Sequence, residues 1–147
     1  MIKKKYVFLV IILTIIAIIV YIFRPIPFDK EFFINDKISV SYFINSKKDG
    51  TIIPDAKVLT FDRNSDQFRQ IENIFEKYTY HKCFKTWNNN ASLKGNGTSY
   101  QILTDKRTLL ITEDSYIIID FNIYRIDYLG SSKAKKLVKE LKDIIEN

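Results

Sequence analysis

The chain of 147 residues holds one cysteine, one histidine, one tryptophan, three prolines and four glycines, and each shortage closes a class of function. Cys83 alone cannot form an intrachain disulfide, so neither a disulfide scaffold nor a redox address is encoded. One Cys and one His leave a structural zinc site two ligands short, and no metal is expected. With glycine only at positions 50, 95, 97 and 130, no phosphate-cradling glycine loop and no nucleophile elbow is present. No cofactor and no small-molecule ligand is implied. Acidic residues are dispersed rather than clustered, so no carboxylate pair for hydrolysis stands out. Of the net charge of +6, Lys3, Lys4 and Lys5 supply half. What remains is an ordinary surface without a polybasic block, and nucleic acid is not expected as a partner.

What is present begins with an apolar run, YVFLVIILTIIAIIVYIF, from Tyr6 to Phe23, with no charge and only Thr14 as an aliphatic polar residue. As a helix at about 1.5 Å per residue it reaches roughly 27 Å, close to a hydrocarbon core. Tyr6 and Tyr21 fall where amphipathic rings favour the two interfaces, and Pro25 and Pro27 end the helix. The residues before any cleavage point are bulky, which argues against a removed signal peptide, and no cysteine follows for lipid attachment. The expectation is an uncleaved anchor contacting membrane lipid through residues 6–23. Three lysines pack against its N-terminal edge, whereas only Arg24 is as close on the other side. That bias places the C-terminal domain outside the cytoplasm, as a single-pass protein of the cell membrane.

The remaining chain is about one ordinary domain. The expected division is an anchor over 1–23, a linker over 24–36 and an α+β domain over 37–147. Within the linker, Phe28, Phe32 and Phe33 lie either at the lipid interface or on the domain. From Ile38, alternation puts Ile38, Val40 and Tyr42 on one strand face and serines opposite, and the 45–50 cluster marks a turn. Lys57–Phe61 forms a second, shorter strand. From Asn64 to Tyr78 the period changes, aligning Phe68, Ile71, Phe75 and Tyr78 on one helix face, with Asn64 or Ser65 as the cap. The period is lost over Thr79–Lys82, and asparagines and glycines from 88 to 97 mark a long polar loop. Strands then follow at 99–104, 108–112 and 116–126, joined by short polar links that imply antiparallel neighbours. In the last, Ile117, Ile119, Phe121 and Ile123 share a face opposite Asp120 and Asn122. A terminal helix turns Leu137, Val138, Leu141, Ile144 and Ile145 to the core. The order β-β-α-β-β-β-α predicts a two-layer fold, with an antiparallel sheet covered on one face by two helices.

The search for chemistry finds His81 two residues from Cys83, but a thiol nucleophile needs its base within hydrogen-bond reach and a third group to orient it, and no such group is evident. A structural Cys and a surface His are the default. Two Asn-x-Ser/Thr matches, at Asn90 and Asn96, matter only in a pathway that glycosylates. The remaining signal is aromatic. Tyr80, His81, Phe84, Trp87 and Tyr100 surround the polar loop, either as a lid on the core or as a contact surface for a protein partner. These five are the candidate partner-binding residues, and no catalytic residue is nominated.

A short lysine tag, an uncleaved apolar helix, the stretch T-L-L-I-T-E-D-S-Y-I-I-I and a terminal amphipathic helix together resemble the small membrane-anchored domains of unknown function found in low-GC Gram-positive bacteria. The resemblance implies a cell-envelope location and no activity. The functional expectation is a non-catalytic binding or accessory module that contacts an envelope protein. An immunity or inhibitor-like protein is the alternative, and an envelope hydrolase the third reading.

Overall fold

The computed structural model describes residues 4–28, 33, 37–48, 51–87 and 98–146. Of the expected 45–50 turn, residues 45–48 are strand instead, paired to the neighbouring strand, and residues 49–50 lie outside these residues. Phe32, both Asn-x-Ser/Thr matches and the loop from Asn88 to Gly97 lie wholly outside them. Helix α1 spans Lys4–Ile22. Every side chain from Tyr6 to Tyr21 is exposed, and the Thr14 hydroxyl donates to the Val10 carbonyl at 2.9 Å, within its own helix. Among the described residues no helix is long and apolar enough to cross a membrane. The part of α1 described with its side chains, Tyr6–Ile22, rises about 26 Å at 1.5 Å per residue, short of a hydrocarbon core of about 30 Å. A transmembrane span over 6–23 is therefore not shown.

The domain is α+β, as expected, but its elements are more numerous than the sequence reading. After α1 come β1 (Ile26–Pro27), β2 (Lys37–Lys48), β3 (Thr51–Asp62), α2 (Asp66–Phe75), β4 (Thr79–Lys82), α3 (Phe84–Trp87), β5 (Thr98–Leu103), β6 (Thr108–Thr112), β7 (Tyr116–Ile119), β8 (Asn122–Arg125) and α4 (Ser132–Glu146). They form one sheet in the order β1-β4-β8-β7-β6-β5-β2-β3, antiparallel throughout. The β2–β3 hairpin makes one edge, α2 carries the chain across to β4 beside the other edge strand β1, and the meander β5–β8 fills the gap between them.

Three corrections to the expected order have local causes. First, the 116–126 strand is two strands joined by Asp120 and Phe121, both in the left-handed region at φ 48° and 67°. Ile119 faces Asn122 across this two-residue hairpin, the geometry whose twist matches paired strands. An Asp-Phe turn lacks the glycine that usually marks it, so contacts hold it instead. Asp120 accepts from the Thr108 amide at 3.0 Å, its own amide donates to the Thr108 carbonyl at 3.0 Å, and Arg107 pairs with it at 3.0 Å. Phe121 therefore leaves the apolar face and is 85% exposed. Second, Thr79–Lys82 is a strand, because β8 pairs with it on one side and β1 on the other. Third, part of the segment read as linker belongs to the domain. Pro27 tolerates the sheet edge, where no ladder needs its missing amide, and Phe28 and Phe33 are buried against Phe75 at 4.9 and 5.3 Å between ring centroids.

Helices α2 and α4 both cover one sheet face, as expected. Helix α2 starts where the Ser65 side chain accepts from the Phe68 amide at 3.2 Å, and it buries Phe68, Ile71, Ile74 and Phe75. It stops three residues before the expected Tyr78, because the Lys77 and Tyr78 amides turn back to the Ile74 and Phe75 carbonyls in a tightened last turn. Helix α4 buries Ala134, Leu137, Val138, Leu141 and Ile145. These side chains form one core with Ile38, Val40, Ile102, Leu109, Ile111 and Ile117 of the sheet.

Candidate functional site

The aromatic residues singled out by the sequence separate sharply in space. Tyr100 is 1% exposed and stacks on Tyr42 at 5.8 Å between centroids, with its hydroxyl pKa pushed up by burial. Tyr80 packs between Phe28 and Tyr124, at 5.0 Å from each, on the core face of β4. Tyr100 lies in the core, and Tyr80, partly buried, packs against it. His81, the next residue along the strand, points to the opposite face. It is buried and stacks nearly parallel on Tyr128 at 3.9 Å.

That opposite face carries a small second layer. Cys83 is buried, its sulfur 3.9 Å from the Ile123 carbonyl oxygen. The single turn of α3 follows because Thr86 closes it. The Cys83 amide donates to the Thr86 hydroxyl at 2.8 Å, the Thr86 amide donates to the Cys83 carbonyl at 2.9 Å, and the Thr86 hydroxyl donates to the Ile123 carbonyl. The turn is thus pinned to β8, leaving Phe84 and Trp87 on its outer side, 82% and 55% exposed. Lys85 lies over the Tyr116 ring at 4.0 Å, with Arg125 at 5.4 Å from the same ring.

Phe84 and Trp87 meet the end of α1. The Phe23 ring lies 5.8 Å from Phe84 and 5.7 Å from Trp87, the latter edge-on. The Tyr128 hydroxyl donates to the Phe23 carbonyl at 2.7 Å, satisfying one of the carbonyls a helix leaves unpaired at its C-terminus. Beside Tyr128, Leu129 is 91% exposed. The junction of helix and domain is therefore an exposed patch of Phe84, Trp87, Tyr128 and Leu129 around Phe23. Tyr128 and Leu129 escaped the sequence reading because they lie outside any periodic segment, between a strand and a helix. Only their neighbour Gly130, at φ 73°, marks the turn that presents them.

The Cys83 sulfur faces Ile123 and Thr86 rather than an imidazole, and His81 faces Tyr128. Among the described residues no group of three or more His, Cys, Asp or Glu side chains is placed to hold a metal ion. Asp127, the buried carboxylate nearest in sequence, is used structurally. It accepts from the Lys133 and Ala134 amides at 3.1 and 3.0 Å and from the Ser115 hydroxyl at 3.3 Å, so it caps α4 from outside the helix. A cleft of about 430 Å³ between α2 and α4 is lined by Ile74, Lys77, Glu140, Asp143 and Ile144 among others. Tyr78 is buried and its hydroxyl is pushed up to about 12, by burial first and then by the Glu140 carboxylate.

His81 carries a pH signature. Burial first, then Arg125 and to a lesser degree Lys133, lower its pKa against the opposing pull of Asp127. The folded imidazole takes up a proton less readily than the unfolded chain, which does so near the ordinary value of about 6.5. Stability is thus full above that value, declines as pH falls below it, and levels off beneath the folded pKa. Thermal melts from about pH 7.5 to pH 5 should show this decline, and His81→Gln should flatten it. Parallel profiles for the two proteins would assign the decline to other groups.

No family model, no curated protein and no solved structure matches this chain.

Proposed function

We propose that the protein is a single-pass, membrane-anchored module of the cell envelope that acts by contact with a protein partner and not by catalysis. The observation that carries this reading is α1: sixteen consecutive residues, Tyr6 to Tyr21, are exposed around the whole helix. A helix apolar on all sides has no wet face to lie along a surface, so burial in lipid is the state that satisfies it. Its modest length is accommodated by local thinning of the bilayer, at a cost of fractions of a kcal/mol per Å. The lysines at the N-terminal end favour the cytoplasmic side for that end and place the domain outside.

Support for action by contact comes from the sheet. Strand β3 is its outermost strand, twelve residues long, at the edge opposite the one next to α1. An unpaired strand edge presents a row of backbone donors and acceptors, and an extended segment of another protein adds to it by pairing. Val58, in this strand, is 62% exposed.

One experiment tests anchor, orientation and partner together. In the full chain carrying Cys83→Ser and Val58→Cys, a membrane-impermeant maleimide with a photoactivatable arm should react on intact cells and, on illumination, couple the protein to a partner. The labelled chain should stay in the membrane pellet after alkaline carbonate washing. Release by carbonate would remove the anchor, reaction only after lysis would invert the orientation, and labelling without any coupled protein would sink the β3 contact.

A further inference from the structure

We propose that the patch of Phe84, Trp87, Tyr128 and Leu129 sits in the headgroup region of the lipid bilayer and docks the domain on the membrane at a second point. This inference rests on the proposed insertion of α1. Phe23 closes the apolar run, and Phe84 and Trp87 touch its ring directly at 5.8 and 5.7 Å. With α1 inserted, these two rings lie within one ring's breadth of the hydrocarbon boundary. Tyr128 is bonded to the Phe23 carbonyl, so it and Leu129 share that depth.

Three features select lipid over a protein as the occupant. The first is continuity, because the patch extends the apolar surface of α1 beyond the end of the helix. It supplies apolar depth where the described span falls a few Å short. The second is residue type. Tryptophan and tyrosine are the side chains enriched at the membrane interface, where an apolar ring and a polar tip are both satisfied. The third is charge. Arg24 follows Phe23, Lys82 stands two residues before Phe84, and Lys133 follows Leu129 at the start of α4. Arg24, Lys82 and Lys133 are exposed. Exposed cations close in sequence to an apolar patch complement the phosphates of phospholipid headgroups.

The short turn of α3 makes the device rigid. Thr86 ties it to Ile123, so Trp87 cannot swing away from the junction without breaking the bond to β8. Docking at a second point would hold the sheet at a set angle to the membrane, with β3 facing outward.

Trp87 is the one tryptophan of the chain, so its fluorescence reads the patch without a label. The full chain is reconstituted in vesicles of phosphatidylcholine and phosphatidylglycerol, with flotation as the measure of anchoring. Trp87 should emit to the blue of its value in the unfolded chain. It should be quenched most strongly by lipids brominated near the glycerol end of the acyl chain, and it should be shielded several-fold from aqueous iodide. Phe84→Ser combined with Leu129→Ser should leave flotation and the melting temperature unchanged while restoring iodide access. A chain that floats but whose Trp87 stays open to iodide and untouched by brominated lipid overturns the docking and leaves the anchor standing. A chain that fails to float overturns both. Shielding that appears only when an envelope protein is added would assign the patch to that protein and overturn the lipid reading.

Discussion

Deletion of α4, residues 132–146, should leave a chain with no cooperative thermal transition. The helix places Leu137, Val138, Leu141 and Ile145 in the core, with Leu137 and Leu141 wholly buried. Full burial of such side chains is worth about 1.5–3 kcal/mol each. Their sum is comparable to the entire stability of a domain, about 5–15 kcal/mol. The deletion also opens the sheet face beneath, uncovering Leu109 and Ile111 of β6, which α4 contacts. Heat scans of the truncated and intact chains in the same detergent check the expectation. A sharp transition at an unchanged temperature in the truncated chain would remove α4 from the core.

Asp127→Ala should cost about 3 kcal/mol or more, the largest effect expected from any single polar side chain here, because charge-assisted bonds are worth about 1.5–3 kcal/mol and unpaired buried donors add to the loss. The carboxylate receives two amides of the first turn of α4 and the Ser115 hydroxyl. Ser115 is itself fully buried, and its hydroxyl also accepts from the Asp127 amide at 3.0 Å. Removing the carboxylate strands these donors in the interior and takes the anion from the positive end of the helix. Asp127→Asn keeps an acceptor and loses the charge, so it should fall between wild type and the alanine variant. Denaturant melts of the three proteins give the ranking. An alanine variant within about 0.5 kcal/mol of wild type, the range of ordinary surface changes, would show that the network is not structural.

Asp127 also shows why some residues could not be read from sequence. It lies six and seven residues ahead of the amides it caps, beyond the reach of any local capping pattern, and the Ser131–Ser132 pair next to the helix looks like the conventional start. Ser115 carries no pattern at all. Its left-handed φ of 77° and its bond to Asp127 exist only once β7 and β8 are paired. The Asp120–Phe121 hairpin is similar. Alternation of Ile117, Ile119, Phe121 and Ile123 fits one long strand, and local propensity offers no glycine to interrupt it. Long-range bonds to Thr108 and Arg107 favour the turn. At the candidate site, Phe84 and Trp87 emerged as exposed residues from a segment chosen for its aromatics. His81 and Tyr100, chosen on the same ground, proved to be buried, and Tyr80 partly so. Composition marks aromatic content but cannot say which side of a strand faces the core when a neighbouring strand, here β8, comes from a distant part of the chain.

Periodicity and composition by themselves determined the apolar run of α1, the two amphipathic helices on one sheet face, the antiparallel meander and the want of a disulfide framework or zinc-ligand set. These follow from contacts between residues a few positions apart, which leave their period in the sequence. Tertiary structure alone decided the place of the meander between β2 and β4, the recruitment of Ile26–Pro27 as an edge strand, the capping of α4 by Asp127, and the meeting of Phe23 with Phe84, Trp87 and Tyr128. All but the Asp127 cap join segments tens of residues apart, and the cap itself depends on the pairing of β7 with β8 that places Ser115; such pairings depend on which faces remain uncovered after the local elements have formed.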